Sequence, residues 1–193
     1  ITFSYGRGLQ ASALKEFGKN QENIVNIQKD FCVTDKADGE RKLLYIHDDN
    51  KIYFINTNLS VQYTGTYLDS KSSYKGTLID GEHIIYDKDG NYINLYAAFD
   101  IYFYKGSDYR EYPFIKYINE ETSSSNKHFT RYKILNTVLS NENSIRQYFN
   151  YSTKNNYYHM KTIVKDFKVG NYKQVGRTIF DGCKFILEKE ELG

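Results

Sequence analysis

The sequence predicts an α+β domain with largely antiparallel sheets and flanking helices. Two pairs of alternating apolar segments are each joined by a short run of turn residues, as in antiparallel hairpins. Stretches near both ends of the chain instead carry apolar residues at helical spacing. Because strand and helix patterns do not alternate regularly, a parallel α/β sheet is not expected.

The first predicted elements lie before residue 40. Residues 9–29 carry apolar side chains at roughly helical spacing, broken near Gly18, so we expect one or two helices there. The apolar stretch Phe31–Val33 follows and predicts the first strand. We expect the helices to pack behind this strand.

Two antiparallel hairpins are predicted next. Each joins alternating apolar segments through Asp, Asn or Gly residues, which tolerate a left-handed backbone. The hairpins join Arg41–His47 to Lys51–Asn56 through residues 48–50, and Glu82–Asp87 to Tyr92–Tyr104 through residues 88–91. The sheet should therefore be mainly antiparallel.

The second half of the chain mixes helix and strand patterns. Residues 128–149 have approximate helical spacing, interrupted around 141–143. Residues 157–167 alternate more like a strand, and residues 175–192 return to a helical pattern. The polar run at 122–126 reads as an exposed connecting loop.

Composition limits the class of protein. A chain of 193 residues can bury one sizeable core, so we expect a single domain over residues 1–193. A formal net charge of +2 provides no global basic field, so any RNA contact must be local. Cys32 and Cys183 lack Cys-x-x-Cys spacing, which favours reduced intracellular thiols, although a pair between them stays open. No apolar run reaches the roughly eighteen residues of a membrane span.

The run from Lys36 to Arg41, directly after the first predicted strand, contains the candidate nucleophile. It places one lysine beside Gly39, which we expect to allow a tight turn. Asp38 and Arg41 supply an anion and a fixed cation within a few residues of the amine. A lysine partly buried in such a setting can act as a nucleophile.

Two further segments follow in order. Thr77–Ile85 is an apolar strand interrupted by Asp-Gly-Glu, and Tyr96–Ile101 contains Phe-Asp and is followed by Gly106 and Arg110. Together with the Lys-x-Asp-Gly-x-Arg run, they resemble motifs I, III and IIIa of the covalent nucleotidyltransferases. That superfamily contains mRNA capping guanylyltransferases and polynucleotide ligases. The resemblance is detailed from Cys32 to Arg110 and only architectural elsewhere.

The resemblance implies a nucleotidyltransferase domain of ATP-grasp-like fold. In it, Lys36 would attack the α-phosphate of a nucleoside triphosphate and carry the nucleotide as a phosphoramidate. Magnesium or manganese is implied because a hard cation neutralises charge on the phosphates, and Asp38 is the expected metal-associated residue.

The same resemblance implies the nucleotide contacts. Arg41 would meet the ribose and phosphate, Glu82 would accept a hydrogen bond from a ribose hydroxyl, and Phe99 would stack on the base. The remaining expected contacts are Thr34 and Asp35, directly before the lysine, and Arg110, near the polyphosphate. Each residue also has a structural interpretation: Lys36 as an exposed strand end, Phe99 as core, and Asp80 as a turn or supporting residue.

No match to the family's motifs IV and V or to its OB-fold is found. We therefore expect the N-terminal part of a guanylyltransferase domain, truncated before those motifs, from the capping enzyme of a large DNA virus. Asp-Gly-Glu in motif III and Val33–Asp35 before the lysine favour capping over ligation. Two alternatives stay open: the adenylylation domain of an ATP-dependent DNA or RNA ligase, and a non-catalytic interaction module that keeps the fold.

The capping interpretation implies definite partners. GTP is the expected substrate, the 5′ end of RNA the expected acceptor, and the remainder of a larger capping enzyme the expected protein partner. No membrane is implied. The expected location is the host cytoplasm or the virion.

Overall fold

The computed structural model describes residues 32–69, 73–115, 129–140 and 144–169. The predicted helices at 9–29 and 175–192 and the predicted loop at 122–126 lie outside these ranges. The chain divides into two compact units. The smaller unit contains the strands β1 (Cys32–Val33) and β10 (Lys168–Val169), which form a two-stranded antiparallel sheet.

The larger unit contains the other described elements. Its strands are β2 (Glu40–Ile46), β3 (Lys51–Asn56), β4 (Val61–Leu68), β5 (Thr77–Tyr86), β6 (Tyr92–Tyr104), β7 (Ser107–Asp108), β8 (Phe149–Tyr151) and β9 (Lys161–Val164). Its helix is α1 (Arg131–Leu139), and two short 3₁₀ turns span Ile145–Tyr148 and Asn156–Tyr158. Antiparallel strands therefore dominate this unit, as the sequence predicts.

The eight strands form one sheet in the order β7-β6-β5-β2-β3-β4-β8, and β9 also pairs with β6. Every pairing is antiparallel except that of β9 with β6, which is parallel. Strand β6 thus has β5 on one side and both β7 and β9 on the other. This arrangement places β9, late in the chain, beside the centre of β6.

The first predicted hairpin is confirmed as β2 and β3. Its turn places Asn50 at a φ of 65°, a left-handed conformation that asparagine tolerates. The carboxylate of Asp49 accepts the backbone N–H of Lys51 at 2.9 Å. That hydrogen bond is the main reason that the pKa of Asp49 is lowered to about 2, so the turn stabilises the ionised side chain.

The second predicted hairpin is confirmed as β5 and β6. Gly90 has a φ of 80°, and Asp87 accepts the backbone N–H groups of Asp89 and Asn91, each at 2.9 Å. The pairing of β5 with β6 is interrupted by three register shifts, one of which lies between Asp80 and Gly81. Such bulges increase the local twist and redirect side chains.

Helix α1 covers the core face of the sheet. Thr130 caps its N-terminus by accepting the backbone N–H of Lys133 at 3.2 Å. Its buried side chains pack into a core shared with β2, β3, β5 and β6. The helical members of that core are Ile134, Leu135, Val138 and Leu139, and the strand members include Leu44, Ile46, Phe54, Ile79, Tyr96 and Ala98. Among the described helices, none has both the length and the apolar character needed to cross a membrane.

The second half departs from the sequence pattern in its boundaries. Of the interrupted helical pattern predicted over 128–149, Arg131–Leu139 form an α-helix and Ile145–Tyr148 a 3₁₀ turn, whereas Phe149 begins a strand. The strand predicted over 157–167 is confined to Lys161–Val164, because Asn156–Tyr158 form a 3₁₀ turn. Strand β4 was not predicted, since Gly65 in its interior weakens the strand pattern.

Candidate active site

Four strands present a row of side chains on one face of the sheet. Arg41 on β2 is paired with Glu82 on β5. Glu82 is paired in turn with Ala97 on β6, and Ala97 with Ile163 on β9. Directly paired residues point to the same side of a sheet, so these four share one face, which we call the site face. The chain neighbours of Ala97 belong to the core on the opposite face.

Lys36 lies in the segment between β1 and β2. Its side chain is exposed, and its ammonium makes one long contact, 3.5 Å, to the carbonyl oxygen of Ala37. The expected partial burial of Lys36 is therefore wrong. Residues 34–38 form no strand, so neighbouring strands do not cover the amine.

Two hydrogen bonds hold this segment. At one end, the backbone N–H of Gly39 donates to Oε1 of Glu82 at 3.2 Å. At the other end, the ammonium of Lys165 donates to the carbonyl oxygen of Asp35. Residues 36–38, which we call the lysine arch, lie between these two attachments. The nucleophile candidate is thus carried by a short arch fixed on both sides.

Gly39 allows the segment that carries Lys36 to approach β5 closely. The chain bends at Gly39, as we expected, although its φ is not in the left-handed region. A Cβ at this position would lie 2.6 Å from the carbonyl oxygen of His83 and 2.9 Å from Cγ of Glu82. Only glycine therefore lets the arch approach β5 closely enough for the bond to Glu82.

The adjacent carboxylates of the Asp-Gly-Glu segment have different environments. Asp80 is fully buried and accepts two hydrogen bonds from Arg41, at 3.1 and 2.5 Å, and one from Tyr102 at 2.6 Å. Glu82 is half-buried and receives the Gly39 N–H. Asp80 therefore pairs with Arg41 and has the supporting role, rather than the turn role, of the two that we expected. Glu82 is less buried than its apolar strand suggested.

Arg41 is held by Asp80. Burial alone would lower the pKa of Arg41, but the hydrogen bond and the charge of Asp80 outweigh burial and raise it. Burial raises the pKa of Tyr102, and the Asp80 charge raises it further. The guanidinium of Arg41 is consequently a fixed cation, and its orientation is set by the buried carboxylate of Asp80.

Phe99 lies at a bulge in β6. Asp80 is paired with Asp100 and Gly81 with Ala98, so Phe99 falls outside the paired positions. Its half-buried ring lies 5.7 Å from Cζ of Arg41. Phe99 therefore lies beside Arg41, which belongs to the site face. The structure brings Lys36, Arg41, Glu82 and Phe99 into one connected region. Their roles toward a nucleotide stay predictions.

Lys165 was missed by the sequence interpretation. Burial lowers the pKa of its half-buried ammonium, the charges of Asp35 and Glu82 oppose this, and the charge of Lys36 adds to the lowering. The same ammonium donates to the carbonyl oxygen of Asp35. The only signal in the sequence was a lysine after an alternating segment, which gives no indication that this segment pairs with β6.

The other expected site residues are placed differently. Arg110 pairs with Asp108, at 2.6 Å between Nη2 and Oδ2, and its Cζ lies 5.1 Å from the centre of the Phe103 ring. Thr34 belongs to the smaller unit, directly after β1. Asp35 and Asp38 are exposed on either side of Lys36. A role of Arg110 at the polyphosphate stays a prediction.

The carboxylates on either side of Lys36 could serve as magnesium ligands. Within the described ranges, no group of three or more His, Cys, Asp or Glu side chains could hold a metal on its own. Magnesium usually binds through one or two carboxylates together with substrate phosphates and water. The exposed carboxylates of Asp35 and Asp38 fit that pattern, in which most ligands come from the nucleotide.

A known protein family matches most of the chain. The family model described as the mRNA capping enzyme catalytic domain matches residues 19–169, which include every site residue described above. A probable mRNA-capping enzyme of Acanthamoeba polyphaga mimivirus is 39% identical over 92 residues, which are 47% of this chain and 7% of that protein.

Two further relatives match shorter segments. Over 43 residues, or 22% of the chain, it is 51% identical to fructose-bisphosphate aldolase 2 of Caenorhabditis elegans and 49% identical to the cytosolic fructose-bisphosphate aldolase 4 of Arabidopsis thaliana. These matches cover 12% and 11% of the aldolases. The chain therefore spans only a small part of each relative, whereas the family model covers most of the chain. The chain belongs to the family of the mRNA capping enzyme catalytic domain.

Proposed function

We propose that the chain carries the nucleotide-accepting site of an mRNA guanylyltransferase. The observation that carries the proposal is the lysine arch, which is attached to Glu82 at one end and to Lys165 at the other, beside Arg41 and Phe99. Family membership and a viral capping relative support it. Because the chain spans only a small part of that relative, the full reaction is itself part of this proposal.

In the first step, the lone pair of Lys36 Nζ attacks the α-phosphorus of GTP. A phosphorus–nitrogen bond forms, the bond from the α-phosphorus to the bridging oxygen breaks, and pyrophosphate leaves with that electron pair. The amine loses its proton to solvent. Exposure of Lys36 suits this step, because an incoming triphosphate can reach the amine without displacing a packed side chain.

In the second step, a terminal oxygen of an RNA 5′-diphosphate attacks the same phosphorus. The phosphorus–nitrogen bond breaks, a phosphorus–oxygen bond forms, and Lys36 recovers its proton from solvent. The GMP then belongs to the RNA. Thus the amine both accepts and releases the nucleotide, and no redox change occurs.

The neighbouring side chains would bind and orient the nucleotide. Glu82 accepts hydrogen bonds only, so its carboxylate suits a ribose hydroxyl. Phe99 offers an aromatic face for the guanine, and base–aromatic stacking contributes about 1 to 3 kcal/mol. Asp35 and Asp38 would hold magnesium, which when bound neutralises charge on the phosphates and the departing pyrophosphate.

Base choice tests the proposal. The full-length protein is incubated with magnesium and either α-labelled GTP or α-labelled ATP, and acid-labile label on the protein is counted. We expect label from GTP and little from ATP. The reverse preference would identify a ligase adenylylation domain. Label from neither nucleotide would favour an interaction module, and either result would contradict the proposal.

A further inference from the structure

Lys165 is fixed by its backbone to two elements of the larger unit. Its N–H donates to the carbonyl oxygen of Ala98 at 2.8 Å, directly before Phe99 on β6. Its own carbonyl oxygen accepts from the hydroxyl of Tyr132 on α1 at 3.2 Å. The starting point of this side chain is therefore set by the sheet and the helix.

The side chain of Lys165 extends from this anchor to the lysine arch. Its ammonium donates to the carbonyl oxygen of Asp35, the residue directly before Lys36. The charged groups around the ammonium are Asp35, Glu82 and Lys36. A hydrogen bond from a charged donor is stronger than one between neutral groups, so this contact fixes the peptide that precedes the nucleophile.

The opposite end of the arch is fixed by a different strand. Glu82 on β5 accepts the Gly39 N–H, whereas Lys165 follows β9. Loss of the Lys165 contact would remove one of these two attachments and leave the bond between Gly39 and Glu82. The amine of Lys36 would then sample more positions relative to Glu82, although the residues expected to bind the nucleotide would remain in place.

We propose that Lys165 is a positioning residue that holds Lys36 for attack by binding the carbonyl oxygen of Asp35. This proposal rests on the proposed function. It assigns Lys165 to the rate of enzyme–GMP formation rather than to GTP affinity. Precise placement of a nucleophile changes the rate steeply.

The first test follows the arch without any nucleotide. Backbone amide hydrogen exchange of residues 35–39 is compared in the wild type, Lys165→Met and Lys161→Met. Lys161 is a matched control, because it is an exposed lysine on β9. We expect exchange of these five residues to rise about tenfold in Lys165→Met, as for a locally released segment, and to stay unchanged in Lys161→Met. Unchanged exchange in Lys165→Met would overturn the proposal.

The second test measures single-turnover formation of enzyme–GMP over a range of GTP concentrations. Lys165→Met should lower the maximal rate roughly tenfold, consistent with loss of one charged hydrogen bond, with less than about a threefold change in the GTP concentration for half-maximal rate. Lys165→Arg should restore most of the rate, because guanidinium also donates to a carbonyl oxygen. A changed GTP requirement with an unchanged maximal rate would overturn the proposal.

These outcomes separate two failures. If the wild type forms no enzyme–GMP, the proposed function fails, yet amide exchange still decides whether Lys165 holds the arch. If Lys165→Met does not fold, Lys165→Gln replaces it, since the shorter neutral amide also loses the charged donor. Wild-type exchange in a folded Lys165→Gln would again reject the positioning role.

Discussion

At the residue scale, Asp80 and Glu82, which are separated by one glycine, have different environments. Asp80 is buried and binds Arg41 and Tyr102, so it stabilises the sheet. Glu82 faces the lysine arch and is half-buried. The family motif predicted Glu82 as a site residue, and the structure places it beside the lysine arch. The motif did not identify the partners of Asp80, because they lie on two other strands.

Substitution of the two carboxylates should separate stability from function. Asp80→Asn leaves a partly buried arginine without its counter-ion, so we expect the free energy of unfolding in urea to fall by about 2 to 3 kcal/mol. Glu82→Gln should change it by less than about 1 kcal/mol, while enzyme–GMP formation falls at least roughly tenfold, as when a bond to substrate is lost. Equal loss of stability in both variants would contradict this division.

Gly81 between them is required for packing. A Cβ there would lie 2.6 Å from Cζ of Tyr96 and 2.8 Å from the carbonyl oxygen of Ala97. Gly81→Ala should therefore lower the free energy of unfolding by about 1 to 3 kcal/mol, measured by urea denaturation. Gln62→Ala, at an exposed position on β4, is the control. An unchanged urea midpoint in Gly81→Ala would show that the Tyr96 contact is not tight.

At the element scale, the two hairpins were predictable because their turn residues are local. Asp49 and Asp87 bind backbone N–H groups within four residues of themselves. Strand β4, and the end of α1 at Leu139, were not predictable in the same way. Their boundaries depend on pairing with β3 and β8 and on packing against β6, which no local pattern encodes.

The β2–β5 pairing also contains a buried lysine–histidine contact. The amide of Asn94 donates to the carbonyl oxygen of Tyr158, so its Oδ1 accepts from Nε2 of His83 at 2.8 Å. In the neutral ring, Nδ1 of His83 is then the acceptor for the ammonium of Lys42, at 3.2 Å. A proton on Nδ1 would face that ammonium directly. The arrangement therefore favours neutral His83.

This contact predicts a pH dependence of stability. Burial is the main cause that lowers the pKa of His83 below its ordinary value of 6.5; Lys42 also lowers it, while Asn94 and Glu40 oppose. The unfolded chain thus binds a proton more readily than the folded chain. The stabilising contribution is present above pH 6.5 and is lost as pH falls below it.

Urea denaturation at about pH 7.5 and about pH 5.5 measures the effect. The loss of stability at the lower pH should be smaller in His83→Gln than in the wild type. His47→Gln, at an exposed histidine, should retain the wild-type loss. An identical pH dependence in His83→Gln and the wild type would contradict the assignment.

At the scale of the whole molecule, the site depends on a pairing between distant parts of the chain. β9 joins β6 in parallel and thereby brings Lys165 to the arch that carries Lys36. The motif residues up to Phe99 could be predicted from order and spacing. Lys165 and Ile163 could not, because their relation to the site exists only after β9 docks on β6.

The central claim is that Lys36 carries the nucleotide in the complete enzyme. The decisive measurement is peptide mapping by mass spectrometry of the full-length protein after incubation with GTP and magnesium. It is repeated with Lys36→Ala and with Lys36→Arg, whose guanidinium stays protonated at working pH. We predict a GMP adduct on the peptide that contains Lys36, and no adduct in either variant. An adduct on another residue, or one that persists in Lys36→Ala, would contradict the account.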